Sequence, residues 1–310
     1  MTPNTAVIQI EQLSKTYQRS RSESIYALKG LNLNVQAGEI FGYLGPNGAG
    51  KTTTIRLLLD LIRPDTGRAL LFGQDARVNS VALHRRIGFL PGELNLWKGY
   101  TGQQVLDYVG RLRGGVDAAY VRQLVDRLQL DTGLKIRAYS SGNRRKLGLV
   151  LALMSRPDLL IMDEPTGGLD PLMQQTFNEL MLDVKAEGRT VFLSSHVLSE
   201  VQAICDRVGI LRGGELKAVE TVATLVHADF QWVTLRCREV LPAAALAQVA
   251  GVSEVQTLPD GLRLRLAGDF DPLLRALAPY YVTEMVTEEP TLEEVFLTYY
   301  SGTSAKEAAR

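Results

Sequence analysis

The chain has 310 residues, and 34 Lys+Arg balance 34 Asp+Glu for a formal net charge of zero. That balance argues against a general nucleic-acid or acidic-membrane binder acting through bulk charge, and the length suits about two domains with a large core. The start, Met1 to Ala6, lacks the charged and apolar regions of a secretion signal, and the longest apolar run, Leu147 to Met154, falls well short of the roughly 18 residues of a membrane span.

Work at a membrane would therefore need another chain to supply the spans. Cys205 and Cys237 lack metal-ligand spacing and read as buried free thiols in a reducing compartment.

In chain order, residues 7–13 alternate apolar and polar as a strand does. Tyr17 follows, either as an aromatic plate for a base or as a half-buried strand-end tyrosine. Residues 31–35 alternate again, and residues 39–44 form a short, mostly apolar strand. Next comes Gly45-Pro46-Asn47-Gly48-Ala49-Gly50-Lys51-Thr52-Thr53, which fits the phosphate-cradling pattern G-x-x-x-x-G-K-[ST]. A helix is expected over Thr53 to Leu59, so the loop sits between strand and helix, as the chemistry requires. Glycines let backbone N–H groups converge on phosphate oxygens, and the helix N-terminus adds partial positive charge. Lys51 is placed to reach β- and γ-phosphates, and the Thr52 hydroxyl to ligate Mg²⁺.

A turn at residues 63–67 leads to short strands at 69–72 and 87–90, then to helices over 101–111 and 118–128. Tyr139-Ser140-Ser141-Gly142-Asn143-Arg144 is a small-residue loop before an apolar helix from Lys146 to Met154. It is either a second anion site at a helix N-terminus or a plain cap by Ser140 or Ser141. Residues 159–162 are a continuous apolar run ending at Asp163-Glu164. Such runs are buried parallel strands, and ligands gather at their carboxyl ends. Asp163 is placed to hold Mg²⁺, and Glu164 to accept a proton from, or orient, an attacking water. Asp170 reads as the cap of a helix starting at Pro171. Residues 190–195 form another buried strand, ending at His196, and residues 205–217 read as a closing hairpin.

The composition changes near residues 219–225. Beyond lie strand 232–237, helix 243–249, strand 252–257, a turn at Pro259-Asp260-Gly261, strand 262–266, helix 272–278 and strand 281–287. That βαββαβ order suggests a ferredoxin-like or similar α+β module. A last helix is expected over Leu292 to Tyr300, with frayed residues from 303 onward.

Phosphate loop, small-residue loop, Asp-Glu strand and terminal histidine, in that order, resemble an ATP-binding cassette (ABC) protein over residues 7–220. The resemblance implies an α/β P-loop NTPase fold: a mixed-sheet core with a helical subdomain near 92–157, in a nucleotide-binding domain at 1–220. Residues 221–310 form the accessory α+β domain. It implies ATP and Mg²⁺ as cofactors, Gly45 to Thr52 as Walker A, Leu159 to Asp163 as Walker B and Glu164 as the catalytic glutamate. Gly167 to Asp170 resembles the D-loop, His196 the switch histidine and Tyr17 the adenine-stacking aromatic.

Two departures stand out. The signature Leu-Ser-Gly-Gly-Gln is here Tyr139-Ser140-Ser141-Gly142-Asn143, which keeps Ser140 and Gly142 as the groups facing a partner's γ-phosphate. The family's glutamine near Mg²⁺ is replaced by Gly92, and Glu93 or water is expected to cover its role. Ser140 to Lys146 and the tail Pro290 to Leu297 are similar to ATPase subunits of ABC-2 type exporters. The implied partners are a separate membrane permease and a second copy in a head-to-tail homodimer, with no nucleic acid, at the cytoplasmic face of the inner membrane. The resemblance also places the permease's coupling helices over Leu94, Leu96, Trp97 and Tyr100. The alternative, an ABC ATPase acting on ribosomes or nucleic acid, usually carries two cassettes, long coiled coils or basic arms. This chain has one cassette, no sustained heptads and balanced charge. A small-molecule kinase would leave Ser140 to Arg144 and His196 unexplained.

Overall fold

The computed structural model describes residues 6–18, 24–226, 230–239 and 241–288. Backbone proximity divides the chain into two units, Met1–Glu220 and Thr221–Arg310.

In the first unit, β1 (Ala6–Gln18) and β2 (Ser24–Gln36) form an antiparallel ribbon. Both run longer than their alternating stretches, because pairing continues to Tyr17↔Ile25 and Gln18↔Ser24. β3 (Ile40–Leu44) leads into the glycine loop and α1 (Lys51–Leu58). The helix starts two residues before the expected Thr53. Gly50 takes φ 115 at its N-cap, so the chain turns from loop to helix immediately before Lys51. β4 (Thr66–Leu71) and β5 (Gln74–Asp75) complete a four-stranded sheet of order β2-β1-β4-β5.

After α2 (Ser80–Arg85), which the sequence reading did not assign, β6 (Ile87–Leu90) joins the central sheet. α3 (Gly102–Leu112) opens on a capping box between Thr101 and Gln104, and α4 (Ala118–Arg127) on an Asp117 cap. α5 (Ser141–Leu153) begins five residues before the expected Lys146, because Ser140 accepts the Asn143 N–H and starts the helix at once.

β7 (Leu159–Asp163), α6 (Pro171–Ala186), β8 (Thr190–Ser195), α7 (Leu198–Ile204), β9 (Arg207–Arg212) and β10 (Glu215–Thr221) follow. α7 separates His196 from a hairpin that starts at Arg207 rather than Cys205, since Cys205 closes the helix. The central sheet runs β10-β9-β3-β8-β7-β6, and the β6/β7, β7/β8, β3/β8 and β3/β9 pairs are parallel. Every residue of β3, β7 and β8 is buried. That explains the unbroken apolar run of β7 before Asp163. Phe41 and Phe192 stack at 5.9 Å, and Tyr43 tilts onto Phe192 at 5.3 Å. The Tyr43 hydroxyl meets Thr54 Oγ1 at 3.2 Å and ties the strand to α1. Burial pushes that phenol's pKa far up.

In the second unit, α8 (Val222–Val226) precedes β11 (Phe230–Cys237), α9 (Ala243–Leu246), β12 (Val252–Leu258), β13 (Gly261–Ala267), α10 (Asp271–Leu277) and β14 (Val282–Glu288). The sheet order is β12-β13-β11-β14, all antiparallel. Val233, Leu235, Leu262, Leu264 and Leu266 face Leu246, Leu273 and Leu277 in one core. α9 is shorter than the expected 243–249. The expected helix over 292–300 lies outside the described residues.

Candidate nucleotide site

The parallel register sets the site. Leu44 pairs with Ser195, and Asp163 with Ser194, so the carboxyl ends of β3, β7 and β8 finish on one edge. Gly45, Glu164 and His196 therefore leave the sheet side by side.

Lys51 is 6% exposed. Its Nζ donates to the Gly45 carbonyl at 2.6 Å and the Pro46 carbonyl at 3.3 Å, and pairs with Glu164 Oε1 at 3.2 Å. The other carboxylate oxygen of Glu164 lies 2.5 Å from His196 Nδ1. Thr52 Oγ1 donates to Asp163 Oδ2 at 2.8 Å, and Ser194 Oγ donates to Asp163 Oδ1 at 2.5 Å. The Glu164 N–H donates to the Ser194 carbonyl at 3.2 Å and to its hydroxyl at 3.1 Å. Glu164 itself sits at φ 51, left-handed backbone that a non-glycine residue keeps only when its surroundings hold it there.

A cleft of 830 Å³ is lined by Tyr17, Pro46, Asn47, Gly48, Gly50, Lys51, Thr52, Thr53, Gly92, Glu93, Asp163 and Glu164. Tyr17 is half-exposed, with Lys15 Nζ 5.9 Å from its ring centre. Gly92 stands beside the acidic pair: a Cβ there would lie 3.3 Å from Asp163 Oδ2. Glu93 is exposed in the cleft, without an ion pair or hydrogen bond to its side chain among the described residues. Gly45 and Ala49 close the base of the loop, where Gly214 N–H donates to the Ala49 carbonyl.

Ser140, Gly142 and Asp170 do not line this cleft. Ser140 Oγ accepts the Asn143 N–H at 3.1 Å, and Asp170 Oδ1 accepts the Met173 N–H at 3.0 Å. The cap uses one lone pair of Ser140 and leaves its O–H free to donate. The two loops touch each other: a Cβ on Gly142 would lie 3.0 Å from the Gly168 carbonyl. The chain thus carries two groups of candidate residues, one lining the cleft and one elsewhere on its own surface.

Hard oxygen donors, Thr52 Oγ1 and the Asp163 carboxylate, fit Mg²⁺, which takes few protein ligands and keeps the rest for water and phosphate. Among the described residues no cluster of three or more His, Cys, Asp or Glu forms a closed metal cage.

The sequence reading missed three contributors. Ser194, read only as strand, holds Asp163. Glu200 on α7 accepts from Thr166 Oγ1 and from Ser195 Oγ at 2.7 Å, bracing the segments after β7 and β8. Arg145 on α5 is 6% exposed and donates to backbone carbonyls on two neighbouring loops. The signal for Arg145 was its place on the apolar side of α5, where an arginine needs partners.

Leu94 turns inward, close to Gly148 of α5, whereas Trp97 and Tyr100 are about half exposed. Trp97 packs edge-on to Tyr100 at 6.4 Å and to Tyr108 at 5.5 Å. Both cysteines are free; Cys205 is buried, which pushes its thiol pKa far up, and Cys237 is half-buried. No described helix is long and apolar enough to cross a membrane.

Residues 28–167 match the ABC transporter family model. The chain is 40% identical over 226 residues to an uncharacterized ABC transporter ATP-binding protein of Nostoc sp., covering 69% of this chain and 67% of that protein. It is 38% identical over 288 residues to the daunorubicin resistance ATP-binding protein DrrA3 of Streptomyces coeruleorubidus, covering 87% of this chain and 90% of that protein. The dimeric structure of a bacterial ABC transporter cassette superposes with TM-score 0.64 at 25% identity, covering 69% of this chain and 98% of that one.

Proposed function

The chain belongs to the ABC transporter family as one of its ATP-binding proteins, and on that premise we propose that it binds and hydrolyses ATP to drive an ABC-2 type exporter through a separate membrane permease. The work takes place at the cytoplasmic face of the inner membrane. Likeness to a drug-resistance ATP-binding protein supports the export direction.

One observation carries the reading. Lys51, Thr52, Asp163, Glu164 and His196 meet at one sheet edge, while Ser140, Gly142 and Asp170 lie away from that cleft on the same chain. Each chain then holds half of two sites, and a head-to-tail pair completes both. The likeness to a dimeric cassette supports this arrangement.

The residues divide the work. Tyr17 offers its ring to the adenine base. The backbone N–H groups from Gly48 to Thr53 and the Lys51 ammonium bind and orient the phosphates. Thr52 and Asp163 would hold Mg²⁺, which neutralises charge on the β- and γ-phosphates when bound. Glu164 accepts the proton of the attacking water, held between Lys51 on one side and His196 on the other. Glu93, next to the small Gly92, supplies the oxygen that the family's glutamine otherwise brings to this corner. Ser140 and Gly142 read the γ-phosphate bound by the partner. Because those contacts exist only while the γ-phosphate is present, its cleavage releases the pair and turns chemistry into motion. The half-exposed Trp97, Tyr100 and Tyr108 form the apolar surface for a helix of the permease.

The test is Glu164→Gln. It should retain ATP binding, nearly abolish phosphate release and accumulate nucleotide-bound dimers. Wild-type phosphate release would remove Glu164 from the chemistry.

A further inference from the structure

Arg145 is a buried cation without an ion pair among the described residues. Its guanidinium is spent on backbone carbonyls. Nη1 donates to Pro91 O at 2.7 Å; Nη2 donates to Gly92 O at 3.1 Å and Glu164 O at 2.7 Å; Nε donates to Gly167 O at 3.4 Å. These acceptors belong to the loop after β6 and the loop after β7, which frame the corner of the cleft beside Asp163. A planar fork with five donors can reach carbonyls spread over two loops, whereas an ammonium offers three donors from a single atom. Burial pulls the pKa of Arg145 down, and the charges of Asp163 and Glu164 push it back up.

The Glu164 backbone is the part that needs holding. At φ 51 it occupies a left-handed region that is strained for a residue with a side chain. Its N–H is fixed by Ser194. Its carbonyl is held by Arg145 and by the Gly167 N–H at 3.2 Å. Arg145 also lies on the helix that Ser140 caps, five residues along.

We propose that Arg145 is a positioning residue that fixes the backbone of Glu164 and of the Gly92 loop from the helix bearing Ser140. It thereby makes hydrolysis in a chain's own cleft depend on what that chain's Ser140 engages on its partner. The inference rests on the roles given above to Glu164 and Ser140. Arg145 does not line the cleft; it acts through the peptide of Glu164. Removing it leaves the glycine loop and Lys51 untouched, so nucleotide binding and turnover separate.

The experiment compares Arg145→Met, Arg145→Lys and Glu164→Gln in the full chain, measuring ATP affinity, kcat, KM and melting temperature. Arg145→Met should lower kcat by about 10²-fold, the cost of a misplaced reacting group, while KM and ATP affinity move less than about threefold. Arg145→Lys restores the charge and some donors and should recover roughly tenfold of that loss. A folded Arg145→Met with wild-type kcat would overturn the proposal. So would a loss of kcat matched by an equal loss of binding-competent protein, the mark of a merely structural residue. Should Arg145→Met fail to fold, Arg145→Lys decides: reduced kcat with unchanged KM supports the role, and wild-type kcat ends it. Wild-type turnover by Glu164→Gln would instead overturn the assignment of the carboxylate, whatever Arg145 does.

Discussion

Replacing Ser194 with alanine tests how the acidic corner is held. Ser194 is fully buried and Asp163 is 4% exposed. The serine hydroxyl donates to Asp163 Oδ1 at 2.5 Å and accepts from the Glu164 N–H at 3.1 Å. Alanine removes the donor and leaves a buried carboxylate oxygen unpaired. A hydrogen bond to a charged group is worth about 1.5–3 kcal/mol, and the loss is felt in full where water cannot replace the donor. The Glu164 N–H keeps the Ser194 carbonyl at 3.2 Å, so that peptide stays bonded. In a unit of this size each kcal/mol moves the melting temperature by about 2–4 °C, so a drop of roughly 3–12 °C is expected. Freed on one side, Asp163 should also hold Mg²⁺ less well, and ATP binding should require more Mg²⁺. Thermal unfolding of the full chain and a Mg²⁺ titration of nucleotide binding give both numbers. An unchanged melting temperature together with an unchanged Mg²⁺ requirement would refute the reasoning.

Two further outcomes follow from the cleft. Gly50→Ala places a Cβ at φ 115 and 2.5 Å from the Ala27 carbonyl; the strain and clash should distort the cradle and abolish nucleotide binding, seen by equilibrium titration. Glu93→Ala should lower Mg²⁺-dependent turnover by about tenfold while ATP affinity holds; unchanged hydrolysis would assign that corner to water.

Much of this was readable from the residues because it is local. The glycine loop, the apolar run before Asp163 and the strand before His196 each announce an element and the edge at which it ends. The βαββαβ order beyond residue 229 was readable for the same reason: short strands are separated by local turn signals, Pro259-Asp260-Gly261 among them, and β13 alternates apolar and polar. What the residues hid is pairwise and distant. Ser194 looks like any strand serine until β7 and β8 lie in register and its hydroxyl meets Asp163. Arg145 sits on the apolar side of α5 within Arg144-Arg145-Lys146, but its carbonyl partners appear only when α5 packs under the loops after β6 and β7. The resemblance places Leu94 with Leu96, Trp97 and Tyr100 on a docking surface, yet Leu94 turns toward Gly148, where the missing side chain leaves room. α1 and α5 start ahead of their apolar patterns because the residues that set the starts, Gly50 and Ser140, belong to the preceding loops.

The central claim is that each ATP lies between two copies of this chain. Mixing two inactive variants, Lys51→Ala and Ser140→Arg, tests it most directly. In a head-to-tail pair, the mixed dimer has one site with both halves intact, so the mixture should regain roughly a quarter of the wild-type ATPase rate by random pairing. A mixture no more active than the two variants measured separately would contradict the account.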